Sequence, residues 1–300
     1  MISQDAQFTQ FNATQVYLNP AFSGQTDEHR FNAAYRNQWP GIKKTFTSYL
    51  ISYDYNLENY NSGIGGYLLY DQAGSSSLSN TQLMLNYAYK LRLNDNYDLR
   101  CALQGGFHQR KYDFKKLVFT DQLITGSSIS QDNMSAEPIS YFDAGTGLLL
   151  YSKKMWFGVT ARHLTQPNIS LTGGSEALPL YIGAHGAYIH ELAPADEGET
   201  KSSQSISALF NYRHQGVNDQ TDIGVQYFHK ILSAAVWYRG IPFKKYSSSL
   251  PNNESLAIIL GYEPKGKGLR VAYSFDFTLS KLGAQNTYGA HEITIGYELN

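Results

Sequence analysis

The stretch Gln82-Leu83-Met84-Leu85-Asn86-Tyr87-Ala88-Tyr89-Lys90-Leu91 decides how the rest of the chain reads. Every second residue (Leu83, Leu85, Tyr87, Tyr89, Leu91) is apolar or aromatic, and the interleaved set is Gln82, Met84, Asn86, Ala88 and Lys90. Successive side chains of a β-strand point to opposite faces, so a period of two over this length makes a strand with one apolar and one mixed, polar face. The pattern returns where Leu269, Val271, Tyr273, Phe275 and Phe277 oppose Arg270, Ala272, Ser274 and Asp276. It closes the chain, where Ile293, Ile295, Tyr297 and Leu299 oppose Glu292, Thr294, Gly296 and Glu298.

Extending this reading in both directions gives roughly fourteen segments of about 9–11 residues, the length a tilted strand needs to cross a bilayer. Their expected spans are 29–39, 45–56, 62–71, 79–92, 96–110, 140–151, 154–163, 178–192, 203–213, 220–229, 231–240, 254–263, 267–278 and 289–300. The connections sort by parity. On one side lie 57–61, 93–95, 152–153, 193–202, 230 and 264–266, mostly short, with the acidic run 194–200 as the exception. On the other lie 40–44, 72–78, 111–139, 164–177, 214–219, 241–253 and 279–288, mostly longer. An even strand count with short periplasmic turns and longer outer loops is the pattern of bacterial outer-membrane barrels, which puts both termini in the periplasm. The expected fold is therefore all-β, an antiparallel transmembrane β-barrel over residues 29–300.

Composition agrees. The chain has 24 Tyr and 26 Gly among 300 residues, and only 16% are charged. A soluble enzyme of this size carries nearer a quarter charged residues and long helical stretches. A net charge of −1 offers no basic surface for nucleic acid. One cysteine, Cys101, excludes an internal disulfide and reads as a small strand residue. No apolar run is long enough for a transmembrane helix, and a mean hydropathy of −0.38 is compatible with strands that show lipid only alternate residues. No secretory signal is read in the first residues, and Met1-Ile2-Ser3 is expected to be a new start on a processed chain.

A soluble propeller, sandwich or lipocalin-like domain is the alternative, with the apolar faces turned inward. Against it stand the long, uniform strands, where soluble strands cluster near five or six residues. Aromatics also sit toward strand ends, at Tyr53, Tyr55, Tyr67, Tyr70, Trp156, Tyr188, Trp237, Tyr238 and Tyr297, as interfacial girdles require.

No catalytic constellation is legible: there is no HExxH, no GxSxG elbow and no P-loop. His108, His163, His185, His190, His214 and His229 are scattered among strands, and no metal or cofactor set is expected. Gly63-Ile64-Gly65-Gly66 and Gly105-Gly106 lie inside strands with no helix following, so they read as bends or sites of close packing. Arg36, Arg100, Arg110, Arg162, Arg213 and Arg270 fall on the polar phase or near strand ends; facing the lumen, they would pair with Asp54, Asp98, Asp222, Asp276 and Glu292. Such pairs either pack the barrel shut or line a polar conduit or peptide-binding cavity. Residues 1–28 mix aromatics with amides and hold Pro20. A disordered tail is poorer in aromatics, so this segment is expected to fold into or under the barrel.

The same residues carry a family likeness. Gln4-Asp5-Ala6-Gln7-Phe8, Tyr17-Leu18-Asn19-Pro20-Ala21-Phe22-Ser23-Gly24 and Tyr35-Arg36-Asn37-Gln38-Trp39-Pro40 resemble the PorP/SprF family of type IX secretion and gliding motility. So do Ser52-Tyr53-Asp54, Gly63-Ile64-Gly65 with Asp71 and Gly74, Leu117–Gln122, Asp143–Tyr151 and Arg162–Pro167; beyond Pro167 the match is mainly one of strand pattern. The resemblance implies a non-enzymatic barrel that binds or anchors a secreted surface protein, an adhesin through its C-terminal secretion domain, or periplasmic secretion components. It carries over no active site. Asn19, Pro20, Arg36, Asn37, Trp39, Asp54 and Asp143 are the candidate structural or docking residues, and loop 111–139 is a candidate contact surface. An outer-membrane channel or hydrophobic-solute transporter is the other reading.

Overall fold

The computed structural model describes residues 5–26, 28–42, 46–73, 78–112, 124, 137–171, 174–195, 202–247, 250–264, 268–280 and 283–299. They form a closed barrel of fourteen antiparallel strands, each paired with its sequence neighbours and the first with the last. The strands are β1 (His29–Gln38), β2 (Phe46–Leu57), β3 (Ser62–Ala73), β4 (Leu78–Arg92), β5 (Asp98–Tyr112), β6 (Ile139–Tyr151) and β7 (Met155–Arg162). They continue as β8 (Tyr181–Ala195), β9 (Ser202–Gln215), β10 (Asn218–His229), β11 (Leu232–Ser247), β12 (Leu250–Tyr262), β13 (Leu269–Thr278) and β14 (Ala290–Leu299). Closure runs His29 opposite Leu299 through Gln38 opposite Ala290, so no edge strand is left to aggregate. Among the described residues no helix is long and apolar enough to cross a membrane.

The alternation that suggested the strands also tells which face looks out. In β4, Gln82, Met84, Asn86 and Ala88 are buried, while Leu83, Leu85, Tyr87 and Tyr89 are exposed. The apolar phase is outside all round, in Phe31, Ile51, Leu68, Leu103, Phe107, Ile223, Val236, Leu260 and Ile295 among others. A soluble barrel would invert this, so the exterior is a lipid-facing belt. The expected outcome is that Leu85→Arg, at a position 67% exposed in the middle of β4, costs about 2–4 kcal/mol in lipid. Tyr60→Arg, in the turn before β3, costs at most about 1 kcal/mol near the interface. Urea titration of the two variants in lipid vesicles checks the difference.

His29 and Leu299 mark one mouth, here the terminal mouth, whose connections 58–61, 93–97, 152–154 and 230–231 are short. At the opposite, distal mouth two expected loops are strand. The 214–219 region is taken up by β9 and β10, and 241–253 largely by β11 and β12, which run on past the register shifts at Arg239/Gly240 and Ile241/Lys245. Bulges let a hairpin twist and continue, which period-two alternation alone does not reveal. Of loop 111–139, residues 113–123 and 125–136 lie outside the described residues, as do Gln4, Gly74, Leu117–Gln122 and 196–200.

Three aromatics assigned to interfacial girdles face inward instead. Tyr67, Trp156 and Trp237 pack against residues 8–22, with Trp237 5.6 Å from the Phe11 ring and Trp156 5.3 Å from Phe22. Parity explains it: Trp237 alternates with Ala235 and Arg239 on the lumenal phase, whereas Val236 shares the outer phase with Tyr238. Trp237 fits because its cross-strand partner is Gly224, where a Cβ would lie 1.6 Å from the indole. The described part of the N-terminal segment thus lies within the barrel, and the hydrophobic core forms between it and the wall.

Candidate functional site

The N-terminal segment meets the wall at three stations, each built from residues far apart in sequence. The first is near the terminal mouth. Gly24 has φ of +73°, and its N–H donates to Asp54 Oδ2 at 2.8 Å. Asp54, fully buried in β2, also accepts from Arg30 Nε at 2.9 Å and Nη2 at 3.0 Å. Opposite stands Gly63, where a Cβ would lie 2.2 Å from the Ser23 carbonyl, and Gly65, where one would lie 2.7 Å from Ser23 Oγ. These glycines therefore serve close backbone approach, as their strand setting implied.

The second station is Asn19. A single helical turn, Gln15–Leu18, leads into it and a short 3-10 turn, Pro20–Phe22, follows. Pro20 starts that turn where its missing N–H costs nothing, and Asn19 Oδ1 caps it by accepting from Ala21 N–H at 2.9 Å. Asn19 Nδ2 then donates to the wall carbonyls of Leu148 at 3.0 Å and Val159 at 3.1 Å, and lies 3.1 Å from His185 Nε2. This demands space that only glycine leaves. A Cβ at Gly147 would sit 1.9 Å from Asn19 Oδ1, and one at Gly158 would sit 2.4 Å from His185 Nε2.

The third station fills the distal half. Glu292 accepts the backbone N–H groups of Thr9 at 2.7 Å and Gln10 at 2.9 Å. Thr9 Oγ1 donates to Asp276 Oδ2 at 2.7 Å and accepts from Arg36 Nη1 at 2.5 Å and Arg239 Nη2 at 3.1 Å. The ion pairs Arg36–Glu292, Arg36–Asp276, Arg239–Asp276, Arg239–Asp222 and Arg213–Asp222 link β1, β14, β13, β11, β10 and β9 into one buried band. Beside it, Asp5 bonds His163 Nε2 at 3.0 Å and lies 3.3 Å from Arg162 Nη2. Its N–H donates to Gln215 Oε1 at 3.0 Å. Arg162 is stacked between the Tyr17 and Tyr181 rings, 4.8 and 3.8 Å from their centroids.

His163, just past β7 with φ of +62°, faces a carboxylate on each ring nitrogen, Asp143 at 2.6 Å on Nδ1 and Asp5 on Nε2. Two ionised carboxylates leave only N–H donors to face them, so the ring is the imidazolium. Burial disfavours that charge, but Asp5 and Asp143 outweigh it and push His163 up to about 9. Burial likewise opposes ionised Asp5, yet His163 and Arg162 hold it well below the usual carboxylate range. His108 completes the surroundings, 3.6 Å from Asp143. A raised histidine stabilises fully below its ordinary 6.5 and loses that contribution as pH rises through about 9; depressed Asp5 contributes above its ordinary 3.8 and fails only in strong acid. The unfolding temperature should therefore fall between pH 7 and 10, and His163→Gln should be lower at pH 7 and flatter across that range. A wild-type profile as flat as that of the variant contradicts a charged His163 held between Asp143 and Asp5.

The seven candidate residues separate into two groups. Asn19 and Pro20 belong to the N-terminal segment, Arg36 and Asp54 bond to it, and Asp143 reaches it only through His163, which bonds Asp5. Asn37 and Trp39 do not: Asn37 lies on the outer phase of β1, and Trp39, with φ of +60°, packs on Phe46 at the distal rim. Of the expected arginine pairs, Arg36 and Arg213 bind lumenal acids. Arg162 binds Asp5 in place of a strand acid, and Arg270 pairs with Glu263 and Glu298 at the terminal rim. Sequence reading missed Arg30 and Arg239, although each lies across a strand pair from its acid, Arg30 opposite Asp54 and Arg239 opposite Asp222. It also left His108, His163 and Asp143 apart, since their proximity depends on register. Among the described residues no set of three or more His, Cys, Asp or Glu is placed to hold a metal ion.

The sequence matches the family described as type IX secretion system membrane protein PorP/SprF over residues 1–297. No curated protein matches the chain. Among solved structures, the CymD monoaromatic hydrocarbon channel aligns at 12% identity with a TM-score of 0.53, covering 99% of this chain and 95% of that one. The P. putida toluene transporter TodX aligns at 10% identity with a TM-score of 0.53, covering 94% and 93%. At such identities the likeness is one of fold.

Proposed function

Because the chain belongs to the PorP/SprF family of type IX secretion membrane proteins, we propose that it is a non-enzymatic outer-membrane barrel that holds a secreted partner. The observation that carries this reading is the lumen, occupied from one mouth towards the other by the chain's own residues 5–26. The cavity between this plug and β7, β8 and β9 measures about 20 Å³, room for little more than a water molecule. With the interior filled by the plug, docking falls to the mouths and loops. The terminal mouth, with its short turns, is the periplasmic face, and the distal mouth is the outer one. The partner is a surface protein of adhesin type, presented through its C-terminal secretion domain, with periplasmic secretion components as neighbours. Asn19, Pro20, Asp54 and Asp143 are architectural in this account, and Asn37 and Trp39 stand at the docking rim.

Affinity purification of the full chain from native outer membranes, followed by mass spectrometry, tests the proposal. A secreted surface protein should co-purify, and deleting that protein's C-terminal domain should abolish its recovery. Undiminished recovery without the domain contradicts the docking mode.

A further inference from the structure

The two ends of the described chain lie at opposite mouths. Leu299 closes on His29 at the terminal mouth. From there the N-terminal segment runs to the distal mouth, folding once at the Gln10–Thr14 turn so that Ala6 and Phe8 lie beside Tyr17. Gly24 lies against Gly63, one residue into β3 from that mouth. Asn19 meets Leu148, three residues from the terminal-mouth end of β6, and Val159, midway along β7. Thr9 meets Asp276, two residues from the distal end of β13. Asp5 meets Arg162 and Gln215, the last residues of β7 and β9 at the distal mouth.

We infer that the barrel carries the amino end of this chain through its lumen and presents it at the outer face, while the carboxyl end stays periplasmic. This replaces the sequence expectation of two periplasmic termini. The threading rests on geometry alone; its direction rests on the orientation proposed above. The amino end is held there by buried charge, with the Asp5 carboxylate between His163 and Arg162, and by the backbone bond to Gln215. Exposed apolar residues flank the exit, Leu164 beside His163 and Val217 in the β9–β10 turn.

A single cysteine appended ahead of Met1, or behind Asn300, in a full-length Cys101→Ser chain carrying an export signal supplies the test. An impermeant maleimide is applied to intact and to outer-membrane-permeabilised cells, and labelling is read on the folded, heat-modifiable band. The amino-end cysteine should label on intact cells at least tenfold more than the carboxyl-end one, which should label only after permeabilisation. The reverse pattern upholds the threading and overturns the proposed orientation. Equal labelling of both ends, or of neither, on intact cells overturns the threading itself.

Discussion

Asp54→Ala is expected to lower the stability of the barrel by about 3–5 kcal/mol, because it strands a buried guanidinium. Arg30 is 4% exposed and Asp54 fully buried, so water does not replace the lost carboxylate. The same change frees the Gly24 N–H, which has Asp54 Oδ2 as its partner at 2.8 Å, and loosens the point where the N-terminal segment enters the lumen. Removing both charges together, as Arg30→Met with Asp54→Leu, should recover part of the loss, since much of it is the penalty on the orphaned charge. Urea unfolding in detergent followed by tryptophan fluorescence measures both. A single variant within 1 kcal/mol of wild type (about the worth of a neutral hydrogen bond) would show that Arg30 is hydrated.

Gly147→Leu should release the plug. A Cβ there would stand 1.9 Å from Asn19 Oδ1 and 3.1 Å from Pro20 Cδ, so Asn19 must leave its site before the strand can keep its pairing with β5 and β7. The loss covers two hydrogen bonds to wall carbonyls, the contact with His185 and the seat of Phe22 on Trp156. At about 1 kcal/mol per hydrogen bond and more for the aromatic contact, the total is about 3 kcal/mol or greater, over a hundredfold in the docked-to-undocked ratio. The barrel wall itself has no reason to open, because a leucine in a strand is well tolerated where space allows. The signature is therefore a red-shifted tryptophan emission and new protease sensitivity within residues 5–26, with the heat-modifiable barrel intact.

How much of this was legible follows from what enforces each feature. Lipid outside and packed lumen inside impose a period of two on every strand, so the fourteen spans and most of their ends could be read from residues such as Leu83, Leu85 and Tyr87. The face of an aromatic was read less well. Residue type alone groups Trp237 and Tyr67 with the girdles, although their parity with Arg239 and Leu69 points inward. Register was beyond reach, and with it the meeting of Asp143 with His163, which needs the β6–β7 pairing of Gly145 with Arg162. The contacts of Asp5 and Thr9 span the length of the chain with no local signal at all. Of the Asn19-Pro20 run, the sequence shows a proline in an aromatic-rich segment ahead of the first strand; the glycine seat opposite appears only in three dimensions.

Ion conductance of the purified full-length chain in planar bilayers, recorded beside Gly147→Leu, tests the sealed lumen most directly. The account predicts no steady conductance from the wild type and solute-sized steps from the variant. Steady, solute-sized steps from the wild-type chain would contradict it, and would make the barrel a passage.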